Sequence, residues 1–330
     1  MRQVPKYLII GNGRVARHLC HYFSLLKIKQ FSQWDRSQSL ERLHELATDA
    51  THILLAIKDS AIEPFIDAHL TDIAPCAHIK TFNTAYAKLQ KDINTAAIHD
   101  MAAALKSFEK AHSLNAAGHR QVAQLEKITT QLSDAAHAAA NLRKLGAGLQ
   151  ALKAGLPAAK KIHFSGSLVT KKAFGAHPLM TFGPDLYALE KYLAIPFVVD
   201  AKAPPFHDLM PGLHNPNVRL NEKEKARYHA MCVLAGNFTT LLWQKFFETM
   251  THDFRFPAHL GDMYLKQQVE NILKDYKTAL TGPLARGDVE TIDRNIRALN
   301  GDPFQNVYRS FVEAHAAGPV KKASKNKKLK

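Results

Sequence analysis

Cysteine is scarce: Cys20, Cys76 and Cys232 are the only three in 330 residues, and no CxxC pair occurs. An odd count at wide spacing excludes a disulfide framework and a cysteine zinc site, and it suits a reducing, cytoplasmic compartment. Long apolar runs are also missing. The best of them, Tyr7 to Ile10, Ile53 to Ile57 and Ile195 to Val199, are strand-sized, far below the roughly 20 residues of a membrane span. Arg2 and Lys6 lead straight into Gly11-Asn12-Gly13, which leaves no room for a signal-peptide core. HExxH and GxSxG are absent, no histidine pair has a convincing ligand set, and no heme or flavin motif occurs, so no metal is expected. Acids are outnumbered, 29 against 44 Lys and Arg, for a net charge of +15. Six of those lysines crowd into Gly318 to Lys330, however, and without them the charge is +9. A lysine run lacking aromatics reads as a solvated tail, so nucleic acid is not an expected partner.

What the sequence does contain is alternation of element types. Lys6 to Ile10 is a compact apolar run, and Val15, Leu19, Tyr22, Phe23 and Leu26 recur behind it at helical spacing. A second strand fits Ile28 to Trp34, a helix capped by Ser37 or Ser39 follows, and Ile53 to Ile57 is a buried third strand. Strand, helix, strand, helix, strand is the doubly wound α/β pattern. From Thr84 to Ala159 the chain turns alanine-rich, with apolar residues in steps of three and four and a break at Ser113, Asn115 and Gly118. This predicts an antiparallel hairpin of two long helices. Strand signals return at Lys161 to Ser165 and Ile195 to Val199, separated by an expected irregular loop, Gly175 to Leu179. Asn221, three residues before Glu224, opens a long helix, and Asp288 and Asp302 stand as caps of later ones. The expected division is residues 1–83 and 161–200 for a Rossmann-like domain in two parts, 84–160 for the inserted hairpin, 201–317 for an all-helical domain, and 318–330 for the tail.

Gly11-Asn12-Gly13-Arg14-Val15-Ala16 is a GxGxxA turn set between a strand and a helix. The first glycine permits the tight turn, the second admits a pyrophosphate, and the alanine lets helix and strand pack closely. Dinucleotide binding follows as the expectation. After the second strand Asp35 could accept a ribose 2′-hydroxyl and favour NAD, whereas Arg36 and Ser37 could hold a 2′-phosphate and favour NADP; the reading leans to NADP. Hydride chemistry also needs a proton donor near the developing charge. His229 and Asn237, two turns apart, can share one broad face of the long helix, with Lys225 a turn before His229 as a weaker candidate. His177 lies in the Gly-Ala-His-Pro segment, and Thr281-Gly282-Pro283 with Arg286 forms a loop suited to an anion.

Six segments together, GNGRVA, LLAIKDSAI (Leu54 to Ile62), HFSGSL (His163 to Leu168), GAHPLMTF (Gly175 to Phe182), HAMCVLAGNF (His229 to Phe238) and ALTGPLARGD (Ala279 to Asp288), resemble the bacterial proteins that join a Rossmann-like NADP-binding domain to a C-terminal domain of unknown function 2520. That family is similar in architecture to pyrroline-5-carboxylate reductase, ketopantoate reductase and the beta-hydroxyacid dehydrogenases. The resemblance implies that Ala56, Ile57 and Asp59 border the nicotinamide side of the cofactor, with Ser165 and Gly166 at the next strand end. It implies that His229, Asn237, Thr281 and Arg286 come from the helical domain to close the cleft, and that the protein is a homodimer. Two features depart from the pattern: the insertion of about Asp72 to Lys160, and a His229–Asn237 spacing wider than the one-turn lysine–asparagine pair of the beta-hydroxyacid dehydrogenases. The function so implied is NADP(H)-dependent reduction of a carbonyl or imine on a small anionic metabolite. A noncatalytic dinucleotide-binding regulator with a helical partner-binding arm is the competing reading.

Overall fold

The structure, a computed structural model, describes residues 4–71, 77–111, 116–134, 136–154 and 158–318. The chain forms two compact units, Met1–Thr239 and Thr240–Lys330. The first unit begins with β1 (Tyr7–Ile10), α1 (Arg14–Leu25), β2 (Phe31–Trp34), α2 (Leu40–Asp49), β3 (His52–Leu55) and α3 (Asp59–His69). β1 and β3 are buried along their whole length. Their sequences, YLII and HILL, therefore lack alternation, as parallel strands covered on both faces do. α1 instead buries one stripe, including Ala16, Leu19, Tyr22 and Phe23. Ser39, the second of the two candidate caps, closes α2: its hydroxyl accepts from the Arg42 N–H at 3.2 Å.

Between α3 and the next strand lie α4 (Ala77–Lys91), α5 (Thr95–Ala111), α6 (Ala116–Thr130) and α7 (Ala138–Ala154). The expected two-helix hairpin is thus a set of four helices. Asn94 starts α5 afresh by accepting from the Ala97 N–H at 2.9 Å, and the Asp134 carboxylate accepts from the Ala136 N–H at 3.0 Å in the turn before α7. Of the predicted break, Ser113 and Asn115 lie outside the described residues and Gly118 falls inside α6. Successive helices pack on one another and α4 packs on α7, which closes an antiparallel four-helix bundle. Phe82, Leu89, Met101, Leu105, Phe108 and Leu145 belong to a core of the bundle's own.

The chain then returns to the sheet with β4 (Lys160–His163), β5 (Phe174–Pro178), α8 (Leu189–Ala194), β6 (Phe197–Asp200), α9 (Phe206–Leu209) and β7 (Asn217–Leu220). The seven strands are ordered β2-β1-β3-β4-β5-β6-β7. β2 to β5 run parallel, β6 is antiparallel to β5, and β7 is parallel to β6. From β1 the chain goes to one side for β2 and to the other for β3, so the switch of direction lies between β1 and β3. Two sequence expectations need correction here. Phe174–Pro178, expected as loop, is a strand because β4 and β6 supply a ladder on either side of it. The sheet also runs past residue 200 through β7, so the all-helical stretch begins after Leu220.

α10 (Lys225–Cys232) and a π-helical segment at Val233–Phe238 complete the first unit, and α11 (Thr239–Glu248) leads into the second. There follow α12 (Asp262–Asp275), α13 (Gly282–Arg286), α14 (Val289–Ala298) and α15 (Phe304–Ala317). Asp288 caps α14 by accepting from the Thr291 N–H at 3.1 Å, and Asp302 accepts from the Phe304 N–H at 2.9 Å at the start of α15. α11, α12 and α15 contain no buried residue. The tail from residue 319 onward lies outside the described residues, as does Cys76. Among the described residues no helix is long and apolar enough to cross a membrane.

Candidate functional site

At the switch of direction the chain leaves β1 through Gly11, whose φ of +124° is one that L side chains rarely adopt. Space forbids a side chain as well: a Cβ there would sit 2.3 Å from the Ala56 carbonyl oxygen. The Gly11 N–H donates to the Trp34 carbonyl at 2.9 Å and its own carbonyl accepts from Gln33 Nε2 at 2.8 Å, so the turn is held between the ends of β2 and β3. Gly13, the N-cap of α1, has open space where a Cβ would stand and offers no side-chain cap. Asn12 and Arg14 are exposed, Val15 is half-buried and Ala16 is buried against the core. The first amides of α1 therefore have no side-chain cap, beside a glycine that admits close approach. These residues fit a dinucleotide pyrophosphate.

At the end of β2, Asp35 Oδ1 accepts from both the Ser37 N–H at 2.9 Å and the Ser37 hydroxyl at 2.5 Å. These bonds hold the Asp35 carboxyl below the usual carboxylate range. Ser37 is thereby bound to Asp35 and is not the cap of α2. Arg36, between them, is exposed. The turn offers both an ionised acceptor and a guanidinium.

A second cluster forms where β3, β4, β5 and α10 meet. Ala56 and Ile57 follow β3, half-buried, and Asp59 opens α3. The Ser165 hydroxyl donates to Asp59 Oδ2 and accepts from the Leu168 N–H at 3.0 Å and the Ser167 N–H at 3.3 Å. Next to it, a Cβ on Gly166 would come 2.4 Å from His229 Nδ1 and 3.2 Å from His177 Nε2. The two imidazoles lie edge to face with centroids 5.9 Å apart, and His177 Nδ1 is 2.8 Å from the Tyr228 hydroxyl. Burial, then the neighbouring His229, pushes His177 down to about 4, with Asp59 opposing and Lys225 adding to the fall. His163, at the end of β4, is fully buried and pushed down to about 4 by burial first and Lys225 second. Its Nδ1 accepts from the Ser165 N–H at 3.2 Å, so its proton resides on Nε2. That nitrogen and His229 Nδ1 are both buried with no hydrogen-bond partner among the described residues.

Lys225 is only 4% exposed, its Nζ donating to Asp200 Oδ1 at 2.7 Å, while Asp200 Oδ2 accepts from the Gly175 N–H at 2.6 Å. The sequence reading missed Asp200, His163 and Tyr228. The signal for Tyr228 was its place beside His229 on one helix, but nothing local marks Asp200 or His163. Asn237 does not share a simple helical face with His229: the π-helical segment Val233–Phe238 contains it, and wider turns invalidate the count at 100° per residue. It is exposed. Thr281 and Arg286 lie in the second unit, Thr281 as the N-cap of α13 without a side-chain cap bond and Arg286 exposed at the last residue of that helix. Among the described residues no group of three or more His, Cys, Asp or Glu is placed to hold a metal ion.

Residues 195–315 match the family described as Domain of unknown function (DUF2520). No curated protein matches the chain. In fold it is similar to the Bacteroides fragilis protein named "putative NADP oxidoreductase BF3122", at 16% identity and a TM-score of 0.54, over 94% of this chain and 96% of that one. It also aligns with protein TM1727 of Thermotoga maritima, at 15% identity and a TM-score of 0.48, over 94% of this chain and 97% of the other. The first likeness is one of fold.

Proposed function

We propose that this chain, which carries a DUF2520 domain behind a Rossmann-like sheet, is an NADP(H)-dependent oxidoreductase that reduces a carbonyl or imine of a small anionic metabolite. The observation that carries the reading is the Gly11–Gly13 turn at the strand switch, where ligands of open α/β sheets bind. Asn12, Arg14, Val15 and Ala16 complete the pyrophosphate cradle. Asp35, Arg36 and Ser37 would meet the adenosine ribose, and the exposed Arg36 tilts the choice to NADP. Ala56, Ile57, Asp59, Ser165 and Gly166 would border the nicotinamide, which when bound supplies the hydride. His229 would give the proton to the reduced carbonyl or imine. His177, neutral at pH 7 because of its burial, would face the same oxygen or nitrogen as a hydrogen-bonding group without adding charge. Asn237 would orient the substrate, with Thr281 and Arg286 as the groups for its carboxylate. A homodimer is part of the proposal, supported by the large apolar side chains that α12 and α15 leave exposed.

Thermal stabilisation by NADPH and NADH, measured side by side, tests the core of this. Ligand at ~100 times its dissociation constant adds about 2.7 kcal/mol to the folded state. A shift with NADPH that disappears in Gly11→Ala is the expected result. No shift with either nucleotide at millimolar concentration overturns the cofactor reading. Unchanged turnover of a verified substrate by His229→Ala overturns the proton-donor role.

A further inference from the structure

The Lys225–Asp200 pair has no part in the proposed chemistry, and its burial calls for a reason. Ions taken out of water lose several kcal/mol of hydration each, and an apolar pair of similar volume is often no less stable. What charges supply that apolar groups lack is direction. Here the direction is explicit. Asp200 ends β6, takes the Gly175 N–H of β5 on one oxygen and the Lys225 ammonium of α10 on the other, and so ties two strands to the first residue of the helix. The pair sits where Gly175 lacks a side chain: a Cβ there would stand 2.6 Å from Lys225 Nζ and 2.8 and 2.9 Å from the two Asp200 oxygens. One turn further along α10, His229 sits in the second such notch, the one left by Gly166. Neither glycine has a left-handed backbone, so close approach is the role the structure shows for both.

We propose that the Lys225–Asp200 pair is a positioning device: seated in the Gly175 notch, it fixes the register of α10 on the sheet and thereby holds the His229 imidazole in the Gly166 notch against His177. The inference rests on the reading of His229 as proton donor for its consequence in catalysis, but the placement of the ring can be measured without it. A helix advances about 1.5 Å per residue, so a slip of one residue on the sheet would carry His229 out of contact with Gly166. The same pair sets the local field. His177 is faced by Tyr228, His229 and Lys225 from α10 and by Asp59 from α3; His163 is faced by Lys225 from α10, Asp200 from β6, Asp59 from α3 and His177 from β5. Removing Lys225 alone removes a cation that faces both rings and leaves the Asp200 anion facing His163, and each change favours the protonated imidazole.

The test uses the full chain with nitrogen-15-labelled imidazoles, comparing wild type, Lys225→Met and the neutral double variant Lys225→Met with Asp200→Asn. In Lys225→Met, His163, for which Lys225 ranks second after burial, is expected to titrate above about 4, His177 to move less because burial and His229 hold it down first, and the His229 ring signals to shift. In the double variant no charge is left buried alone, so it is the form expected to stay folded. There the titrations return toward the wild-type values while His229 stays displaced, and turnover falls in kcat with little change in KM, by about tenfold. A merely structural pair would lower stability and leave the His229 ring signals of the folded protein unmoved, and that outcome overturns the proposal. If His229→Ala leaves turnover unchanged, the proton-donor reading falls, but the ring signals still decide whether the pair positions the helix.

Discussion

Two helical regions of this chain solve the same problem in opposite ways. The inserted bundle turns its large apolar side chains inward: Phe82, Met101, Leu105 and Phe108 are buried in a core of their own, and none of its described large apolar residues is exposed. The chain after Thr240 leaves Phe254, Leu260, Met263, Leu273, Tyr276 and Phe311 exposed, Leu273 at 81%. An insertion with a closed core and a polar surface needs no further cover for its large apolar residues, whereas apolar side chains exposed on that scale in the second unit are what the proposed homodimer would bury. The two regions are similar in length, and what separates them is the alanine richness of the bundle and the direction of their apolar stripes. The contrast also weighs against the bundle as a hydrophobic assembly arm, and the proposed dimer contact would fall in the C-terminal helices.

The comparison breaks most visibly if the regions are separated. Residues 72–159 expressed alone are expected to give a cooperative helical melt by circular dichroism, while residues 240–318 alone are expected to self-associate by light scattering. The reverse result would end the contrast. Next in size is Leu105→Ala in the bundle core, expected to cost about 2–5 kcal/mol in urea unfolding without altering nucleotide-induced stabilisation. Leu273→Glu should cost little stability yet shift the intact chain toward monomer in analytical ultracentrifugation. Lowering pH sharpens the contrast further, because the buried neutral histidines belong to the sheet. His52, His163 and His177 are each held down to about 4 chiefly by burial, so the unfolded chain binds protons that the native one refuses. Stability should therefore fall as pH drops from about 6.5 to about 4 and level off below. Denaturant titrations at stepped pH check this, with tryptophan emission following Trp34 of the sheet and Trp243 of α11. The smallest expected effect compares two helix starts: Asn94→Ala removes a cap bond that α5 possesses and should cost about 1 kcal/mol, whereas Thr281→Ala removes none and should leave the melting temperature unchanged.

Where information was local, the sequence carried it. GNGRVA announced its turn because the strand before it and the helix after it are both short-range patterns, and Gly11 needs its φ of +124° for reasons visible in the motif. Ser39, Asp288 and Asp302 could be read as helix starts on the same ground. β5 was not legible, because Phe174–Pro178 contains a glycine and a proline and becomes a strand only through its neighbours. The extra breaks in the bundle had cues in Asn94 and Asp134, but each is a single polar residue inside an alanine-rich helical stretch and by itself does not distinguish a break from a solvated helix face. At the candidate site the turn and the histidines could be named one by one. That His177 and His229 meet at the missing side chain of Gly166, and that Lys225 is tied to Asp200, depends on contacts between distant segments, for which one sequence holds no periodicity to read.

The pairing of β3 with β4 sets His52 beside Lys160, with the whole bundle between them in the chain. For a flexible segment, closing such a loop costs an entropy that grows with its length, and pairings this distant in sequence form slowly. The bundle's own contacts are local, and as an antiparallel four-helix set it brings its first and last residues to the same end. Folding early, it would convert a long closure into a short one, as a splint across the stretch of chain that separates β3 from β4. Slowing bundle formation with a core substitution such as Leu105→Ala should then delay the pairing of β4, although the substituted residue lies in the bundle's separate core.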